Sequence, residues 1–213
     1  MKILVLCPFP YGVAAGQRLK FEQYYEDWSK HGHSVYIRPF MSKSLWQIVY
    51  KKGYILQKIV LTLLAHARRF LIFSEIHKYD LVYVFMWVSP FGPPLLERLT
   101  RYLSKNVLYD LEDNLITTST DQSTLSANPL LRFVKSSSKI KFLIRTSDLV
   151  ITSSPELERQ CIQINANSCA KYITSSVNIH RYQPSLQQFY PKVCIGWTGT
   201  FSSLPYLKLL EPV

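Results

Sequence analysis

Acidic side chains are scarce in this sequence: 14 Asp and Glu stand against 25 Lys and Arg, a formal net charge of +11 over 213 residues. Glycine is scarce too, with seven residues, and no Gly-x-Gly-x-x-Gly occurs. Gly12 and Gly16 have three residues between them, and Arg38-Pro39 stands where a nicotinamide-binding domain would carry an acid. That excludes the dinucleotide fingerprint. No Walker lysine follows the glycines, and no Gly-x-Ser-x-Gly elbow is present. The four cysteines, Cys7, Cys161, Cys169 and Cys194, form no Cys-x-x-Cys pair, and no Asn-x-Ser/Thr acceptor occurs. A reducing cytosol is the expected setting. His31 and His33 flank Gly32 with no second ligand pair nearby, so they read as surface residues and no metal site is expected. No apolar run reaches the ~20 residues of a membrane span. Lys2 followed by an apolar run resembles an export signal, but Pro8 and Pro10 cut it short and bulky Leu6 stands where cleavage needs a small residue.

The positive excess sits in two acid-free stretches. Residues 42–74 hold Lys43, Lys51, Lys52, Lys58, Arg68 and Arg69; residues 122–147 hold Arg132, Lys135, Lys139, Lys141 and Arg145. Together these eleven account for the whole net charge. At about 100° per residue, all of the first set but Lys52 fall on one sector of a helix. Leu45, Ile48, Val49, Ile55, Leu56, Ile59 and Leu63 fall on the opposite one, and Gly53 is a point where the helix would break. With Trp46, Tyr50 and Tyr54 beside the basic stripe, one reading is a helix resting on an anionic membrane surface. The other is a core-packing helix with a solvated basic outer face. Nucleic acid is not expected as a partner, because the charge lies on an amphipathic helix and not on a recognised module.

The chain alternates strand and helix. Residues 2–7 are continuously apolar, as in a strand covered on both faces. A loop with Gly12 and Gly16 leads into a helix on which Phe21, Tyr24, Tyr25 and Trp28 share a face, with Gly32 as its stop. Strands are expected at 34–38, 80–86, 106–110, 149–152 and 171–174. Between them fall the basic helical region to about 78, a helix opened by Gly92-Pro93-Pro94, a long loop or short helix over 111–128, a basic helix over 128–146, and a helix introduced by Ser154-Pro155-Glu156. This order predicts an α/β fold, a Rossmann-like doubly wound parallel sheet with helices on both faces. Polar clusters just beyond the strands, at 12–17, 87–94, 110–114, 152–154 and 175–178, predict a ligand crevice on that rim. Residues 1–178 would form this domain and 179–192 a linker. Residues 193–213, with a new strand and the loop Thr198-Gly199-Thr200, would begin a second domain, as if the chain were cut after one βα unit.

Five stretches carry a family resemblance in order: residues 2–16, the Val107-Leu108-Tyr109-Asp110-Leu111-Glu112-Asp113-Asn114 segment, residues 148–154, the Ser176-Val177-Asn178 turn, and Ile195-Gly196-Trp197-Thr198-Gly199-Thr200. Together they resemble GT-B fold nucleotide-sugar glycosyltransferases of the group-one, or family-four, type, over nearly the whole chain. The resemblance implies two facing Rossmann-like domains, the N-terminal one holding the acceptor and the C-terminal one most of the donor. It places Gly16 near the donor diphosphate with Arg18 as counter-charge, and the backbone of Gly199 and Thr200 on the same phosphates. Asp110 and Asp113, with Glu112 between them, would bind acceptor hydroxyls, or one would assist proton transfer; simple solvation of an acidic loop is the alternative for all three, Glu112 above all. The segment 110–113 stands in place of the histidine-containing acceptor pattern often seen in the family. The donor is a nucleotide-diphosphate-sugar, and no separate cofactor is implied. The acceptor would be a lipid-linked or cell-surface glycan in polysaccharide or lipopolysaccharide biosynthesis, reached from the cytoplasm at the inner membrane face, with retention of anomeric configuration. The other reading is a non-catalytic remnant of such an enzyme that binds a membrane or a partner.

Overall fold

The structure is a computed structural model that describes residues 1–114, 116 and 138–179. The chain divides into two units, Met1–Asn178 and Ile179–Val213. The expected linker over 179–192 and the strand and loop over 193–200 lie outside the described residues, apart from Ile179.

Six strands form one parallel sheet in the order β2-β1-β3-β4-β5-β6: β1 (Lys2–Cys7), β2 (Ser34–Pro39), β3 (Leu81–Phe85), β4 (Val107–Leu111), β5 (Leu149–Thr152) and β6 (Ala170–Tyr172). Every pairing is parallel. This is the doubly wound α/β fold expected from the alternation. The sheet alternates side chains between its faces. Leu4, Leu6, Val82, Val84, Tyr109 and Val150 enter one apolar cluster, while Ile3, Val5, Cys7, Tyr83 and Phe85 enter the other with Phe21. Strand order reverses between β1 and β3, which makes the carboxyl ends of these two strands the topological switch point, where open α/β sheets bind ligands.

The helix after β1 is interrupted where one continuous helix was expected. α1 (Ala15–Lys20) gives way at Phe21, whose backbone is non-helical (φ −142°), to a single 3-10 turn and then α2 (Tyr25–Lys30). The buried Phe21 ring explains the break, since it packs against Tyr83 and Phe85 at centroid distances of 5.3 and 5.0 Å.

The basic helical region is broken as well. α3 (Lys43–Val49) starts at Ser42, whose Oγ accepts from Leu45 N at 3.1 Å. Gly53 and Tyr54 then take left-handed conformations, φ +80° and +57°, before α4 (Ile55–Leu71). A turn at that point voids any single helical sector drawn through both segments. Within α4 the inward stripe is Lys58, Leu61, Thr62, Ala65, His66 and Arg69, while Ile55, Leu56, Ile59, Val60, Leu63, Leu64, Phe70 and Leu71 are exposed. The reading of a core-packing helix with a solvated basic face holds for α3, where Leu45 is buried, Ile48 and Val49 are half-buried and Lys43 is exposed, and is overturned for α4, which is turned inside out. Arg69, 2% exposed, explains what holds it. Its guanidinium donates to the carbonyls of Arg38 (2.8 Å) and Cys7 (3.2 Å) at the ends of β2 and β1, and lies 5.8 Å over the Phe40 ring. Burial pushes its pKa down to about 10, so it stays charged at neutral pH.

On the other flank, α5 (Leu95–Leu103) follows Pro94, α6 (Ser138–Thr146) precedes β5, and α7 (Pro155–Ile164) is capped by Ser154 Oγ accepting from Leu157 N at 3.2 Å. The part of the expected basic helix before 138, and nearly all of the loop over 111–128, lie outside the described residues. A buried polar link joins α5 to α6. Lys139 Nζ donates to Ser89 Oγ (2.8 Å) and the Phe91 carbonyl (2.6 Å) and lies 3.8 Å from Glu97, which is fully buried.

Candidate functional site

Four of the five stretches that carry the family resemblance meet at the carboxyl edge of the sheet. β1 delivers the 8–14 loop and α1 above the end of β4. Gln17 locks that loop: its side-chain amide accepts from Phe9 N (2.9 Å) and donates to Phe9 O (3.0 Å) and to Glu22 (3.0 Å). Glu22 in turn accepts from Gly12 N at 2.9 Å. Burial raises the Glu22 carboxyl pKa, and these two hydrogen bonds and the charge of Arg18 pull it back. Gly12 needs its missing side chain for φ +79°.

Gly16 and Lys20, four residues apart, share a face of α1. Gly16 faces Glu112, and a Cβ there would collide with the Glu112 carboxylate. Burial raises the Glu112 pKa, as does the charge of Asp113, while Lys20 lowers it. Ser153, from the loop after β5, donates its hydroxyl to the Glu112 carbonyl. The 110–113 segment is thereby tied to β5 on one side and covered by α1 on the other.

Asp110, at the end of β4, is 1% exposed. Its Oδ2 accepts a hydrogen bond from the buried Tyr83 hydroxyl, and its Oδ1 lies 3.6 Å from Lys20 Nζ, an ion-pair distance too long for a hydrogen bond. Oδ1 has no hydrogen-bond partner among the described residues. Burial pushes the Asp110 carboxyl up to about 6; Lys20 and the Tyr83 hydroxyl hold it down, and Glu112 adds to the rise. Lys20 Nζ also donates to the Ile173 carbonyl at 2.5 Å. Gln23 reaches the Ser176 carbonyl at 2.8 Å, and the Tyr24 hydroxyl bonds Ser176 Oγ. One short helix thus holds the ends of β4 and β6 together.

The residues singled out from sequence are distributed as follows. Gly16 and the 110–113 segment come together. Asp110 is buried beneath the rim, and Asp113 is exposed on it. Arg18 is exposed on α1. Gly199 and Thr200 lie outside the described residues. Sequence reasoning passed over Lys20 and Tyr83, and reached Gln17 and Ser153 only as members of the polar clusters at 12–17 and 152–154. The spacing of four from Gly16 marks Lys20; nothing local marks the roles of Tyr83 and Ser153, whose partners Asp110 and Glu112 lie 27 and 41 residues away in sequence.

The chain makes a sharp turn at the switch point. Met86, directly after β3, has φ +62°, uncommon for a residue with a side chain. Two hydrogen bonds hold it there: its N–H donates to the Asp110 carbonyl (3.0 Å), and its carbonyl accepts from the Tyr109 hydroxyl (2.8 Å). Among the described residues no group of three or more His, Cys, Asp or Glu is arranged to hold a metal ion.

No protein-family profile and no curated protein matches the sequence. Among solved structures, the chain is similar to Anabaena Alr3699/HepE in complex with UDP and glucose, at TM-score 0.43 and 14% identity over 99% of this chain and 50% of that one. The same Anabaena protein in complex with UDP-glucose gives TM-score 0.43 and 14% identity over 100% and 50%. Arabidopsis thaliana UGT89C1 complexed with quercetin gives TM-score 0.42 and 14% identity over 84% and 53%. The chain spans about half the length of these proteins.

Proposed function

We propose that this chain is the acceptor-side part of a nucleotide-sugar glycosyltransferase with two facing Rossmann-like domains. The observation that carries the reading is the convergence at one carboxyl edge of stretches far apart in sequence: Gly16 against Glu112, Lys20 against Asp110, Ser153 on the Glu112 carbonyl, and Gln23 on Ser176. These stretches carry the family resemblance, and they meet beside the switch point of a parallel sheet. The Anabaena neighbour's complexes with UDP-glucose, and with UDP and glucose, agree with a sugar nucleotide as donor.

In this reading the bond from the anomeric carbon to the diphosphate breaks, the acceptor hydroxyl bonds to that carbon on the face the diphosphate leaves, as retention requires, and the nucleoside diphosphate departs. Asp113, exposed on the rim, meets acceptor hydroxyls and receives the proton. Asp110, buried and engaged with Tyr83 and Lys20, positions the segment and does not touch the sugar. Gly16 admits the donor diphosphate once the Glu112 carboxylate swings aside, Arg18 supplies counter-charge, and Gly199 and Thr200 offer backbone N–H groups from residues 193–213, the start of the donor domain. No cofactor beyond the donor is involved. The acceptor is a lipid-linked or cell-surface glycan used in polysaccharide or lipopolysaccharide biosynthesis, the reaction retains anomeric configuration, and the chain works in the cytoplasm at the inner membrane face.

The test is transfer of labelled sugar from a panel of nucleotide-sugars to membrane extract, using the 213-residue chain and a form extended by any downstream reading frame, with equilibrium dialysis of the same donors alongside. Transfer by either form, lost in Asp113→Asn at unchanged thermal stability, supports the reading. Absence of both donor binding and transfer in every form removes it.

A further inference from the structure

α4 presents the wrong face to the protein. Apart from the half-buried Leu61 its inward stripe is polar or small, and eight large apolar side chains face outward along it, four of them (Ile55, Leu56, Leu63 and Leu71) at least 64% exposed. The apolar surface continues beyond the helix: Phe70, Phe91 and Leu95 are exposed at the mouth of an apolar hollow of about 660 Å³ between α4 and the start of α5. Soluble proteins rarely leave so continuous an apolar face uncovered, and such faces mark interaction sites.

The surrounding charge says what covers it. Lys43, Lys51, Lys52 and Arg68 are exposed around this face, and no acid occurs from residue 42 to 74. At the C-terminal end of α4, Arg38, Arg68 and Arg69 line a second hollow of about 410 Å³ with Ser42 and a single carboxylate, Glu75. Tyr50 and Tyr54, 76% and 51% exposed, sit at the N-terminal end, where amphipathic aromatics suit a water–lipid boundary. A second copy of this chain is a poor fit, because an isologous contact would set one acid-free basic stretch against another. The chain's other ends of sequence bring little relief, since residues 122–147 hold no acid and residues 180–213 hold only Glu211. The complement required is apolar and negative together.

We infer that α3 and α4 seat the protein on an anionic lipid surface, with α4 lying in the plane of the surface, its apolar face in the acyl boundary and the flanking cations on lipid phosphates. At 1.5 Å per residue the 17-residue α4 is about 25 Å long. No helix among the described residues is long and apolar enough to cross a membrane, so the contact is one of lying on and not of spanning. The inference does not depend on sugar transfer, because vesicles without donor or acceptor test it.

The experiment is sedimentation of the full chain with vesicles of phosphatidylglycerol and phosphatidylcholine, against phosphatidylcholine alone, at low and high salt. Two variants accompany it: Leu56→Gln/Leu63→Gln/Leu71→Gln, and Lys51→Gln/Lys52→Gln/Arg68→Gln. All six side chains are exposed, so thermal unfolding checks that both variants fold as the parent does. The parent should partition at least roughly tenfold better to the anionic vesicles, with salt and the charge variant each reducing binding several-fold. The apolar variant should lose roughly a hundredfold. The inference is overturned if the parent ignores vesicles, if it binds both lipids equally, or if the apolar variant binds as the parent does. It is also overturned if light scattering finds a dimer that the apolar variant converts to monomer while vesicles bind neither form, since a second copy would then cover the face.

Discussion

The carboxyl edge of the sheet and the α4 flank both bury cations, and they do so for different ends. At the edge, Lys20 is turned in towards a buried carboxylate and two strand ends, and the rim is closed by hydrogen bonds between segments distant in sequence. On the flank, Arg69 is turned in to cap the carbonyls of β1 and β2, and the apolar half of its helix is left outside. The edge spends its polar groups on position. The flank uses them only as an anchor and leaves its apolar area for something else to cover. A buried cation is therefore no guide by itself to where a ligand binds; what it frees or fixes around it is.

The largest effect should come from breaking the edge. Asp110→Ala leaves Lys20 buried without its counter-charge and should cost about 3–5 kcal/mol in chemical denaturation. The flank should respond less to the matching change. Arg69→Leu keeps much of the side-chain volume but leaves the Cys7 and Arg38 carbonyls without their donor, for a loss of about 2–3 kcal/mol by the same measurement.

Proton linkage separates the two regions again. The Asp110 carboxyl is raised to about 6 in the folded chain, so between the ordinary carboxylate pKa and about 6 the folded state holds a proton that the unfolded state has released. The stability tied to this group is fully present below the unfolded carboxylate pKa and is lost as pH rises towards and through about 6. Roughly 2–3 kcal/mol should disappear between about pH 4 and 6, with Asp110→Asn flattening that slope. Arg69→Leu should leave the slope unchanged, because its guanidinium does not titrate there. An equal slope in parent and Asp110→Asn would show that another carboxyl is responsible.

The smallest effect is the most diagnostic for the flank. Leu63→Gln on α4 should change stability by no more than about 0.5 kcal/mol, because Leu63 is 64% exposed. A loss above ~2 kcal/mol, the usual cost of removing a core leucine, would mean that the apolar face is packed against the protein after all.

Sequence patterning made the sheet legible because the inner strands are apolar enough to be covered on both faces, and β1, β3 and β5 were placed to within a residue or so. Turn chemistry located the caps at Ser154 and the break at Gly53. The inversion of α4 was not legible: the periodicity gives two faces but not which one meets the protein. That depends on the carbonyls of Cys7 and Arg38, 62 and 31 residues away from Arg69. Lys139 eluded reading for the same reason, since its partners Ser89 and Phe91 lie 50 and 48 residues upstream. At the edge, the motif residues Gly16 and Asp110 were visible, while Lys20, which joins them, has no signature except its spacing from Gly16. Contacts made across the chain leave no periodic trace.

The clasp between α1 and the segment after β6 also sets a timetable. Lys20 and Gln23 each meet a partner 153 residues later in the chain. At synthesis rates of ~5–20 residues per second, those partners follow by roughly 8–30 seconds. β1 to β4 can assemble in that interval, but the rim above β4 stays open until the last strand leaves the ribosome. The edge of the sheet is therefore the last part of this domain to close, and a nascent chain stalled before residue 173 would hold a nearly finished sheet with an unfinished rim.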